Sequence, residues 1–178
     1  MKPTSRSSLL STRELVLFAM LGTLMYISKV LLEFLPNFHL LGMFTMVFTI
    51  VYRRKALIPV YVCVLLIGLL GGFAAWWIPH LYLWTVLWAV TMLLPRQMSA
   101  KTAVPVYMTV CALHGLCYGT LYAPSQALLY GLNFQQTITW IIIGFPYDVI
   151  HAVGNLIAGV LIVPLVQVLR RLEQTVPK

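Results

Sequence analysis

Charge is what this sequence has least of. Its 178 residues include only four carboxylates, and charged residues of either sign make up 9% of the chain. A water-soluble domain covers its surface with roughly 25% charged residues, so that class is excluded. Cysteine is also sparse. Cys63, Cys111 and Cys117 all fall in apolar runs, and an odd number so placed excludes a disulfide framework. Motifs of common catalytic machinery are missing as well. No G-x-x-x-x-G-K-[ST] loop is present to hydrolyse ATP, no H-E-x-x-H to hold a catalytic zinc, and no G-x-S-x-G elbow to carry a nucleophile.

What the chain does contain is apolar length. Hydrophobic residues make up 61% of it, and mean hydropathy is +0.91. The sequence predicts one all-α integral membrane domain, a six-transmembrane-helix bundle with a cytoplasmic tail over 1–12. Its spans fall at about 14–34, 39–52, 56–72, 80–94, 102–122 and 146–169. The first apolar run is too long for a signal-peptide core and lacks a cleavage site, so it reads as a span. Pro124 and the polar residues up to Gln136 predict a loop. Ile138–Phe145 is too short to cross alone and reads as a re-entrant helix, an interfacial helix or part of the last span, with Pro146 otherwise in that span's first turn.

Orientation follows from the cations. Lys2, Arg6, Arg13, Arg53, Arg54, Lys55, Arg96, Lys101, Arg170, Arg171 and Lys178 all fall on one side of the six-span arrangement. The positive-inside rule makes that side, with both termini, cytoplasmic. The net charge of +8 therefore encodes topology rather than a nucleic-acid surface. Lys29 is the exception. It lies within a span, four residues before Glu33, and the two read either as a pair that snorkels to headgroups or as a charged lid over an external site.

Polar residues inside spans are costly and mark either function or helix pairing. Asp148, His151 and Asn155 share one helical face, as a ligand-facing stripe or as an interhelical hydrogen-bond network, with Asn155 leaning to the second. His114 lies near mid-membrane, followed by Tyr118. Trp76, Trp77, His80 and Trp84 crowd an outer loop, where aromatic side chains either anchor the interface or stack a planar ligand. The histidines show no metal-ligand spacing, and no metal is expected. Gly68 with Gly72, Gly115 with Gly119, and Gly154 with Ala158 are spaced for close helix packing.

Two stretches resemble a known family. Glu14–Pro36, ELVLFAMLGTLMYISKVLLEFLP, continues into NFHL, and Pro146–Pro164 reads PYDVIHAVGNLIAGVLIVP. Both are similar to segments of the substrate-binding S component of energy-coupling factor transporters. The resemblance implies a multi-pass subunit of a bacterial cell membrane that binds a vitamin-like small molecule from outside. It would need no cofactor of its own, since a membrane coupling subunit and two ATPase subunits would supply the ATP-driven work. It places the ligand among Trp76, Trp77, His80, Trp84, His114, Tyr118, Asp148 and His151, with Asn155 beside them. It places the coupling contact at Ala19, Gly22 and Thr23, where Thr23 replaces the second alanine of the family's A-x-x-x-A pattern. The alternatives are a membrane-embedded enzyme using His114, Asp148 and His151, or a non-catalytic receptor or scaffold.

Overall fold

A computed structural model describes residues 10–175. Lys2, Arg6 and Lys178, with most of the predicted tail, lie outside them. The described residues form eight α-helices and no strand. These are α1 (Thr12–Leu31), α2 (Leu41–Tyr52), α3 (Leu57–Gly71), α4 (His80–Leu93), α5 (Ala100–Leu116), α6 (Tyr118–Tyr130), α7 (Phe134–Gly159) and α8 (Ile162–Thr175). Four helical stretches are long and apolar enough to cross a membrane, at Thr12–Leu31, Leu41–Gly71, Ala100–Tyr130 and Phe134–Gly159.

Local chemistry sets the helix ends. Ser11 and Glu14 form a capping box that starts α1, and Ser99 caps α5 through the Thr102 N–H. Asn133 and Gln136 form a second box, with both bonds at 2.9 Å, that starts α7. The Leu41–Gly71 stretch is not one rod. Arg53 adopts φ 54°, an unusual conformation for a bulky residue, and there the chain reverses. Trp88 donates to the Arg53 carbonyl at 3.0 Å, and the Arg53 guanidinium donates to the Met92 carbonyl at 2.8 Å, which holds the reversal in place.

α2 is the hub, with every residue from Leu41 to Thr49 buried. Its 12 residues span about 18 Å, too little to cross ~30 Å of hydrocarbon unaided. Enclosure by α1, α4, α5, α7 and α8 keeps its ends out of lipid. α1 and α3 run parallel and very close. A Cβ at Gly22 would meet Val62 Cβ at 2.6 Å and the Pro59 carbonyl oxygen at 2.7 Å. α7 packs antiparallel along α5 and α6, where Gly115 and Gly159 admit the neighbouring helix.

The sequence reading needs correction between residues 117 and 169. The predicted loop is mostly α6 and the start of α7, because Asn133 and Gln136 cap a helix instead of ending one, and of the readings open for 138–145 the structure has it continuous with the last span. Pro146 is interior to α7, and Pro124 is interior to α6. Both rings face outward, where the carbonyls they leave free are not enclosed. The predicted last span is broken at Val160–Leu161, because Pro164 cannot donate to the Val160 carbonyl.

The cations gather at one end. Lys55 pairs with Glu14, Arg13 pairs with Glu173 at 3.7 Å, and Arg96 and Arg170 border one cavity. Lys29 is at the opposite end, 3.4 Å from Glu33. Because Gly22 abuts backbone and a β-branched side chain, Gly22→Ala should destabilise the protein by about 1–3 kcal/mol. Thermal unfolding in detergent measures this, and an unchanged midpoint would show that α1 and α3 are not so close.

Candidate functional site

All four histidines of the chain gather at the end remote from the cation cluster. They come from different places: His39 from the turn before α2, His80 from the start of α4, His114 from late α5 and His151 from mid α7. Trp84 is at the centre and only 1% exposed. Its ring centroid is 5.6 Å from His39, 6.3 Å from His80, 5.7 Å from His114 and 6.2 Å from Tyr118. Tyr118 stacks on His151 with centroids 4.5 Å apart and planes at 20°, and His39 is 5.0 Å from His151. Such a set of offset and tilted rings is mutually stabilising and rigid.

Above these rings a cavity of about 610 Å³ opens between α1, α3 and the α1–α2 turn. This is within the usual size range for a small-molecule site. His39, His80, His151, Tyr118, Tyr122 and Trp76 line it, with Lys29 and Glu33 at its mouth. The Nδ1 atoms of His39, His80 and His151 are buried, and the rings of His80 and His151 lie against backbone one turn back, at Trp76 and Tyr147. Among the described residues no hydrogen bond engages their Nε2 atoms, which leaves those for the cavity. Trp84 Nε1 is also buried and unbonded, beneath the floor. Asn37, beside His39, has φ 58°, a left-handed conformation that Asn tolerates, and its turn brings His39 back over the bundle.

Of the two readings open for Asp148, the structure shows the interhelical hydrogen bond. Its Oδ1 accepts the Gly119 N–H at 2.8 Å, in the first turn of α6. The carboxylate thus caps a helix from a neighbouring one, where the N-terminal dipole favours a negative charge. This bond sits just after the break at Cys117, beside Tyr118, which stacks on His151. Gly119 is required here, because a Cβ would lie 2.5 Å from Asp148 Oδ2. Asp148 Oδ2 itself has no partner.

The remaining sequence-predicted residues divide clearly. Trp76, His80, Tyr118 and His151 reach the cavity, while Trp84 and His114 support its floor. His114 is bound at Nε2, 3.1 Å from the Leu83 carbonyl. Trp77 turns away, donating to the Val64 carbonyl at 2.8 Å and packing edge-on against Phe73. Asn155 donates to the Cys111 carbonyl at 3.1 Å and ties α7 to α5. The expected coupling residues lie on two faces of α1. Ala19 and Thr23 are exposed on one, but Gly22 is buried under α3, which removes it from any docking face. His39, Tyr122 and Tyr26 were not anticipated. The signal for His39 was its position beside the Pro36–Asn37 break, facing the same end as the other histidines.

Among the described residues no group of three or more histidine, cysteine or acidic side chains is close enough to hold a metal ion. No family model, curated protein or solved structure significantly matches this chain.

Asp148→Ala leaves the buried Gly119 N–H without an acceptor, so a loss of about 1–3 kcal/mol is expected, with Asp148→Asn retaining most of the stability. Gly119→Ala should be at least as damaging. Unfolding midpoints for the three variants check this, and equal effects of Ala and Asn at 148 would contradict the capping role.

Proposed function

We propose that this chain is the substrate-binding membrane subunit of an ATP-driven importer for a vitamin-type micronutrient. The observation that carries the reading is the ring-walled cavity at the end opposite the cation cluster. On this reading the helices make six crossings. α1, α3 and the α5–α6 pair run away from the cationic end, and α2, α4 and the α7–α8 pair run back towards it. The positive-inside rule then puts both termini in the cytoplasm and the cavity mouth outside, in the plasma membrane of a bacterium.

The walls suit a planar solute. Tyr118, Tyr122 and Trp76 offer stacking faces, and three imidazole nitrogens offer hydrogen bonds to its polar edge. The Lys29–Glu33 pair at the mouth adds no net charge, so a neutral or zwitterionic solute fits better than a dianion. Binding is favoured over catalysis by His114, Asp148 and His151, because His114 and Asp148 are each bound to backbone and do not converge with His151 on one reacting position. The sequence carries no P-loop, so ATP would be used by separate subunits, with a coupling subunit docking on the exposed Ala19–Thr23 strip of α1.

Mass spectrometry of small molecules released from the purified protein identifies the solute. With that solute, Tyr118→Ala should weaken binding roughly three- to tenfold, and His151→Ala by a similar factor, whereas Trp77→Phe should leave it unchanged. Undiminished binding in both cavity variants would remove the cavity from consideration. Ala19→Trp with Thr23→Trp should abolish co-purification with the coupling and ATPase subunits while solute binding persists.

A further inference from the structure

At the cationic end, a second cavity of about 350 Å³ lies between the start of α5 and the length of α8. Arg96 and Arg170 border it, together with Gln97, Gln167 and the Tyr107 ring. The charge balance around it is unusual. The chain has only four carboxylates, and each is committed elsewhere. Glu14 is paired with Lys55, Glu173 with Arg13, Glu33 with Lys29 at the far end, and Asp148 with the Gly119 N–H. No acidic residue lines the cavity, and neither arginine is in an ion pair among the described residues. Both guanidinium groups are exposed and face no carboxylate of this protein, which leaves them open to an anion from outside it.

The cavity also says what kind of anion. Its polar donors are two arginines, two amides and a phenol, which together match the several acceptor oxygens of a phosphate. Its other wall is apolar, formed by Met98, Val163 and Val166 among others, close to where α5 begins. A free ion would gain nothing from that wall, but a phosphate carrying acyl chains would. We infer that this cavity holds the headgroup of an anionic phospholipid from the leaflet at the cationic end, with the phosphate between Arg96 and Arg170. The inference needs the chain to be in a membrane, and is independent of what the first cavity binds.

The test uses the full-length protein in nanodiscs of phosphatidylglycerol and phosphatidylcholine in equal amounts, ejected into a native mass spectrometer. One phosphatidylglycerol should stay bound at collision energies that strip phosphatidylcholine. Arg96→Gln with Arg170→Gln should cut that retained population roughly tenfold or more. The charge-matched pair Arg54→Gln with Arg171→Gln, at the same end but outside the cavity, should not. Equal retention of the two lipids by the unmodified protein would overturn the inference without any variant. So would equal loss in both variant pairs, which indicates general attraction to negative lipid. Displacement of the retained lipid by millimolar inorganic phosphate would also overturn it, assigning the cavity to a free anion.

Discussion

Hydrocarbon offers no hydrogen-bond partner, and this constraint organises the molecule. A polar group within the bundle must be satisfied by another part of the chain or left to face a cavity. Thr49 and Thr91 solve the problem locally by donating to carbonyls one turn back, at 2.6 and 2.7 Å. Trp77, Tyr82 and Asn155 solve it across helices. What remains unsolved is concentrated in one place. Among the described residues, most of the buried side-chain nitrogens and oxygens without partners belong to the ring cluster or to Asp148 beneath it. These atoms are buried away from the cavity, so they add to the cost of packing the ring cluster, by roughly 1–3 kcal/mol for each that lacks a partner, and are not themselves contacts for a solute.

The Asp148–Gly119 bond connects this constraint to the site's shape. It sits just after the break at Cys117, beside Tyr118, which stacks on His151, and it ties α7 to α6. Two turns further on, Asn155 locks α7 to α5 through the Cys111 carbonyl. The polar face of α7 therefore holds the bundle at two positions and presents only His151 to the cavity. The hydrogen-bond reading of that stripe holds at Asp148 and Asn155, and His151 is the member that lines the cavity.

Much of the fold was legible in the sequence for a simple reason: basic residues stop where apolar runs stop. The ends of α1, α2 and α4 fall close to positions marked by Arg13, Arg53 and Arg96. The segment after Cys117 was not legible. Asn133 and Gln136 have the composition of a loop, and only their reciprocal hydrogen bonds reveal a cap. Pro146 is favourable in a first turn and tolerable on an outward face, and sequence does not separate those cases. The site was legible in part. Residues near one loop, such as Trp76, His80 and Trp84, share local context. Asp148 capping a helix 29 positions away, or His39 closing over His151, are contacts between distant segments that no periodicity encodes.

The central claim is that the ring-walled cavity and the cation cluster open to opposite sides of the membrane, with the cavity outside. Single cysteines at Asn37, beside the cavity mouth, and at Arg54, in the cation cluster, test it most directly. In intact cells, a membrane-impermeant maleimide should label position 37 and should reach position 54 only after the cells are lysed. Labelling of 54 in intact cells, or of both positions equally, would contradict the account.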